Sequence, residues 1–411
     1  MTATTRNKST VVPAIAVGLT STLVGIGLAR FAYTALIPPV VAAQWFTTSA
    51  AVYLGAANLL GYLIGAVTAH AVSERFGARA TLAASFGLAA LSFLACAHAA
   101  PFAWFFFWRL LSGLTGAWLM VVGPAIALAR TDPDRRPIVG SLMFMGIGLG
   151  ALLSALVVPT LIHAGLWVAW VTLGALTLIA GTVGDVALYQ LPNPAVASDR
   201  IESDAPAPSP AIRWAVALVV AAYACDGIGF VPHTTFWVDY LAREVGLGMG
   251  PANVQWALFG LGAMLGPVAT RFIVPCLGWR ASLTTGFVTK ALAVGLPFVA
   301  ISVWTRSLSS IVVGALIPGI VALTSGRLAE LVGPVEHKRL WGRATAAFAL
   351  AQAIAGYGLS GLATITGSYR PTFAIGAAVL ALAFALAWFG DPARFAPRRN
   401  RLSSSPPQAL G

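Results

Sequence analysis

Long apolar runs, broken by short polar stretches rich in glycine, proline and arginine, set the pattern of this chain. The runs fall at about 12–40, 50–72, 80–97, 102–129, 138–159 and 166–188. Six more follow at about 212–240, 252–273, 281–304, 308–332, 341–365 and 371–389. Most are close to the roughly 20 residues that a helix needs to cross a bilayer. A barrel would instead show strands of about 10 residues with alternating polarity. The pattern therefore predicts an all-α, multi-pass membrane protein with twelve transmembrane helices.

Between the sixth and seventh runs the composition changes. Residues 190–211 are rich in proline and acids and hold no apolar run, as expected of a linker. The chain thus divides into an N-terminal six-helix unit at 1–189, the linker, a C-terminal six-helix unit at 212–390 and a basic tail at 391–411. An internal echo accompanies this division. Gly25-Ile26-Gly27 returns as Gly227-Ile228-Gly229, and Gly140 as Gly342, both 202 residues on. Gly61-x-x-x-Gly65 in the second run has the small-residue spacing that lets helices approach closely.

Composition agrees with this reading. Of 411 residues, 58% are hydrophobic and only 9% charged, against roughly 25% charged in soluble domains. The net charge of +12 does not point to nucleic acid, because the cations gather at the ends of the apolar runs. With the N-terminus placed inside, three of the 25 Lys and Arg residues fall outside: Arg243, Arg306 and Arg370. Three lie within spans (Arg30, Arg109 and Lys290), and the other nineteen fall inside, as the positive-inside rule expects. Both termini are thus expected in the cytoplasm, and the membrane is expected to be the plasma (bacterial inner) membrane. Arg6 and Lys8 ahead of an apolar run resemble a secretion signal, but the run exceeds the 7–15 residues of such a segment. It is read as an uncleaved first span. Cys96, Cys225 and Cys276 show no metal-ligand spacing, and no cofactor is expected.

The charged residues within the runs carry the candidate chemistry. An arginine inside a span costs at least a few kcal/mol unless it faces a cavity, a counter-charge or a ligand. Arg30 and Arg109 fit a cationic wall for an anionic solute, since guanidinium forks match carboxylate or phosphate. The alternatives are snorkelling of Arg30 to the outer interface and a hydrogen bond from Arg109 to helix carbonyls. Asp226 lies about 20 Å into its helix at 1.5 Å per residue. A carboxylate held that far from water is a candidate proton carrier, or else the partner of a buried cation. His233 follows two turns later on the same face and completes a candidate relay. Asp239 is expected at the outer interface. Lys290 is either an internal counter-ion or a long side chain reaching a nearby polar group, and the second reading is preferred. Tyr33, Thr34, Asn58 and Gln352 could orient a substrate or make packing hydrogen bonds.

No nucleophile elbow, zinc helix or phosphate-binding loop is present, so neither an enzyme nor an ATP-driven pump is expected.

Several of these segments resemble the major facilitator superfamily. Glu74-Arg75-Phe76-Gly77-Ala78-Arg79 looks like its gating signature after the second span, with Glu for Asp and Ala for one basic residue. Arg109-Leu110-Leu111-Ser112-Gly113 is similar to its fourth-span motif, which the family links to proton coupling. Gly27-Leu28-Ala29-Arg30-Phe31-Ala32-Tyr33-Thr34, with Leu36 and Pro38, resembles the YbfB/YjiJ-type branch. So does Gly227-Ile228-Gly229-Phe230-Val231-Pro232-His233 with Asp239-Tyr240. The resemblance implies two pseudo-symmetric six-helix bundles rocking about a central site lined by spans 1, 4, 7, 10 and 11. That arrangement places span 9 and Lys290 on the periphery. It favours Arg30, Arg109, Asp226, His233 and Gln352 as cavity residues and gives Glu74, Arg75 and Arg79 a gating role.

The expected function is secondary, proton-coupled transport of a small organic solute, an anion such as a carboxylate, by a monomer in the lipid bilayer. Efflux of amphipathic drugs or metabolites is the alternative, with Trp118, Phe144 and Trp237 as candidate pocket aromatics. A non-transporting receptor on a transporter fold is the second alternative.

Overall fold

The computed structural model describes residues 3–192 and 209–392. Among them there is no strand, and eleven helices are long and apolar enough to cross a membrane. In chain order they are α1 (Thr10–Ala42), α2 (Thr48–Phe76), α3 (Ala78–Ala95), α4 (Phe102–Ala129), α5 (Pro133–Ala164) and α6 (Leu166–Gln190). After the linker come α7 (Pro210–Glu244), α8 (Met249–Val299), α9 (Val303–Gly333), α10 (Leu340–Thr366) and α11 (Arg370–Phe389). Most of the expected linker and tail, 193–208 and 393–411, lies outside the described residues.

The expected spans 252–273 and 281–304 fall largely in the two arms of α8. The break between them is confined to Gly278, at φ 77° and ψ 165°. That left-handed φ suits glycine, which has no Cβ to clash with the backbone. The second apolar run ends at about residue 72. Helix α2 instead runs on to Phe76, and the turn is compressed into Gly77 at φ 83°. Side chains start several helices. Thr47 accepts from Ala50 N at 3.2 Å, and Ser209 accepts from Ile212 N with Pro210 next to it. Such caps satisfy donors that the first helical turn leaves free.

Backbone approaches fix the helix crossings. A Cβ on Gly61 or Gly65 would overlap the carbonyl of Leu110 or Leu114, and one on Gly113 would overlap that of Asn58. The same crossing recurs 201 residues on. Gly262 meets Ile311 O, Gly266 meets Ala315 O, and Gly314 meets Phe259 O. The α2–α4 contact is thus repeated by the first arm of α8 and α9. Gly140 and Gly342, by contrast, make no close approach, so their echo marks no shared contact. The expected 202-residue register shifts by one in these helices.

Two helices depart from α geometry. Within α1, Leu23–Ala32 is π-helical; within α7, Pro232–Phe236 and Tyr240–Glu244 are. π turns free carbonyls for other donors and often mark functional sites. In both helices a carbonyl of a π segment, Ala29 in α1 and Thr234 in α7, accepts a side chain from another helix.

Candidate functional site

The π segment of α1 offers the Ala29 carbonyl, and three side chains converge on it. Arg109 Nη1 donates at 2.9 Å, Ser112 Oγ at 3.1 Å and Asn58 Nδ2 at 3.2 Å. Asn58 also reaches Arg109 O at 3.4 Å. The Arg109 guanidinium lies 4.2 Å from the centre of the Tyr33 ring, whose hydroxyl donates to Ala51 O at 2.9 Å. Arg109 therefore makes the carbonyl contact considered from the sequence, while its buried Nε has no partner. Asn58, Tyr33 and Arg109 form one brace around α1.

The next residue of α1, Arg30, reaches a different place. It is 7% exposed and does not snorkel. Its Nη1 donates to Gln352 Oε1 of α10 at 2.9 Å, joining residues 322 apart in the chain. Arg30 Nε, Arg30 Nη2 and Gln352 Nε2 are buried and make no hydrogen bond. Among the described residues no acid pairs with Arg30 or Arg109. Nearby, Thr34 Oγ1 donates to Thr234 O, a carbonyl in the first π segment of α7. Arg30 and Thr34 thus tie the first half of the chain to the second.

The preferred reading of Lys290 is overturned. Its ammonium is wholly buried and donates to Asp226 Oδ1 at 2.7 Å and to Leu316 O at 3.3 Å. It is the internal counter-ion of Asp226, and each charge compensates the other away from water. The Phe230 ring lies between two cations, 4.6 Å from Lys290 Nζ and 5.7 Å from the Arg30 guanidinium carbon.

His233 does not contact Asp226. Its Nε2 lies 2.7 Å from Ser309 Oγ, whose only proton goes to Ala293 O at 2.7 Å. The histidine must therefore donate from Nε2, which leaves Nδ1 as a buried acceptor without a partner. Its ring stacks on Trp237 and meets the edge of Phe373. Trp237 is fully buried and donates to Ser310 Oγ, so it faces neither lipid nor solvent.

Asp239 lies near the end of α7. It is fully buried, bound by Arg243 and by the Tyr369 hydroxyl at 2.6 Å. Arg243 Nη1 continues to Thr48 Oγ1 of α2 at 2.9 Å, and Ser49 meets Thr364 at 2.9 Å. These groups border a cavity of about 400 Å3 at the ends of α7 and α10 and the start of α2. The i, i+4 spacing of Asp239 and Arg243 was the available signal for the pair. Nothing in the spacing announced Tyr369.

At the opposite end, Glu74 bonds only His70, at 3.1 Å, and both are exposed. Arg75 lies over the Phe76 ring. Arg79 makes two 3.0 Å bonds to Asp185 and stacks on Tyr189. Asp185 went unnoticed in the sequence. The second half carries a counterpart, with Arg280 paired to Asp391 at 2.9 Å and bonded to Trp388 O.

A comparison with curated proteins returned no match. Residues 22–388 match the family described as uncharacterised MFS-type transporter YbfB. With nearly all of its transmembrane helices inside that match, the chain belongs to the YbfB-type family of the major facilitator superfamily, a family of membrane transporters.

Proposed function

We propose that the protein is a secondary transporter that moves a small organic anion, such as a carboxylate, by alternating access coupled to protons. One observation carries the anion reading. Arg30 is buried between the two halves of the chain, has no acidic partner among the described residues, and keeps two donor nitrogens free beside the free amide of Gln352. A guanidinium kept this way costs free energy until an anion meets it.

In this reading the two arms of α8 count as separate spans, giving twelve. They form two six-helix bundles, 1–189 and 212–390, joined by the linker 190–211. The repeated glycine crossings support that division. The cation distribution supports cytoplasmic termini, a tail at 391–411 on the same side, and residence in the plasma or bacterial inner membrane. The unit is a monomer whose partners are the solute, protons and lipid.

Arg30 and Gln352 hold the anion, with Tyr33, Thr34, Asn58, Arg109 and His233 shaping the surrounding walls. Asp226 takes the proton, and Lys290 compensates its charge when the proton leaves. Glu74, Arg75 and Arg79 act at the cytoplasmic gate.

The test is proton movement in proteoliposomes with a pH-sensitive dye, across a panel of small carboxylates. A substrate-dependent pH change that is lost in Asp226→Asn, and also in the charge-free Asp226→Asn/Lys290→Met, supports the mechanism. Uptake that persists without proton flux removes Asp226 from it. Failure of every anion, with solute movement limited to lipophilic cations, overturns the anion assignment.

A further inference from the structure

The rings below Arg30 form a column. Phe230 lies 5.8 Å from Phe348, which stacks on Tyr223 at 4.5 Å. Tyr223 stacks on Trp341 at 5.6 Å, and Trp341 on His337 at 6.1 Å. All four ring pairs are within 30° of parallel. The column runs from the buried guanidinium to the end of α10 that the positive charges mark as cytoplasmic.

Its α10 members share one helix face. Trp341, Thr345, Phe348, Gln352 and Gly356 follow one another at spacings of three or four, the repeat of a single stripe. The upper end of that stripe meets the N-terminal half. Gln352 accepts from Arg30, and Gly356 lies against Ala56 and Leu59 of α2. The lower end therefore looks into the same seam. Thr345 Oγ1 there is buried with no hydrogen bond. Tyr62 of α2 stands opposite, in one apolar cluster with Ala349.

We propose that the solute is an aromatic carboxylate, whose ring lies against the Phe230–Phe348–Tyr223–Trp341 column while its carboxylate meets Arg30 and Gln352. This rests on the anion reading above and adds the chemistry of the rest of the molecule. Rings stacked face on face turn their edges to the side of the column, where they can meet the π face of a planar solute ring edge-to-face, and the free guanidinium donors set the charged end.

The test is calorimetric titration of the purified full-length protein in nanodiscs at neutral pH. The probes are benzoate, cyclohexanecarboxylate and benzyl alcohol. Benzoate and cyclohexanecarboxylate share charge and near-equal size and differ in the π face. Benzoate is expected to bind about tenfold more tightly than cyclohexanecarboxylate, the scale of one ring–ring contact. Phe348→Leu or Trp341→Leu should abolish that preference, and Phe348→Tyr should keep it. Equal binding of the two carboxylates overturns the aromatic assignment and leaves the anion reading standing. Benzyl alcohol binding as tightly as benzoate overturns the anion reading and leaves the ring contact. Binding of none of the three overturns the proposal.

Discussion

Lys290 and Asp226, 64 residues apart, meet at 2.7 Å with both side chains closed off from water. The pair joins α7 to the second arm of α8, and Lys290 adds the Leu316 carbonyl of α9. Taking away one partner leaves a bare charge inside the protein. Lys290→Met or Asp226→Val alone should therefore destabilise the protein by about 3–5 kcal/mol. The double variant should recover most of that loss. Thermal unfolding followed by fluorescence-detected size exclusion measures the cycle, and additive losses would show that the two residues do not act as a pair.

Arg30 and Arg109 should separate by phenotype. Arg109 braces the π segment of α1 through Ala29 O, whereas Arg30 has one hydrogen bond and two free donors. Arg30→Gln is expected to leave the melting temperature within a few degrees of wild type and to abolish carboxylate binding. Arg109→Leu is expected to lower the yield of monodisperse protein, because Ala29 O loses its charged donor, worth about 1.5–3 kcal/mol. The reverse pattern in binding and melting measurements would exchange the two roles.

The glycine crossings give a paired stability prediction. Gly113→Ala and Gly314→Ala each push a methyl group into a facing carbonyl, of Asn58 and Phe259 respectively. Both should cost about 1–3 kcal/mol, the usual range for overpacking. Gly87→Ala, which meets no atom within 4 Å, should be neutral or slightly stabilising. Melting curves of the three variants, collected together, test the contrast.

Ser49 and Thr364 approach to 2.9 Å between the start of α2 and the end of α10. In a background without Cys96, Cys225 and Cys276, Ser49→Cys/Thr364→Cys should cross-link under mild oxidation. The link should stop transport, and reduction should restore it. Normal turnover with the link in place would mean that these helix ends never part during the cycle.

Much of the fold was legible because the bilayer imposes long apolar runs, and the runs carry their own boundaries. Arg30 and Gln352 both stood out, since a polar group in an apolar run needs a reason to be there. Their mutual contact was not legible. Lys290 was misplaced for a related reason. Periodicity shows which residues share a face of one helix, but not which helix lies opposite, and Asp226 sits on another. The enclosure of Asp239 near the end of its run was not legible either, because Tyr369, far along the chain, helps to bury it. The crossings escaped because a glycine declares its partner only through backbone proximity. Of the six glycines in the two crossings, Gly61–Gly65 and Gly262–Gly266 carry the recognisable spacing, and that spacing names no partner helix.

The π segment at Leu23–Ala32 has a mechanical consequence. An α-helix advances about 100° per residue, and a π turn spreads the same circle over more residues. Tightening this stretch to α geometry would therefore twist the part of α1 beyond it, like a key turned in its lock. Thr34 would swing away from Thr234 while Arg109, anchored on Ala29, held the shaft. A change of pitch within one helix would thus be enough to re-aim its far end.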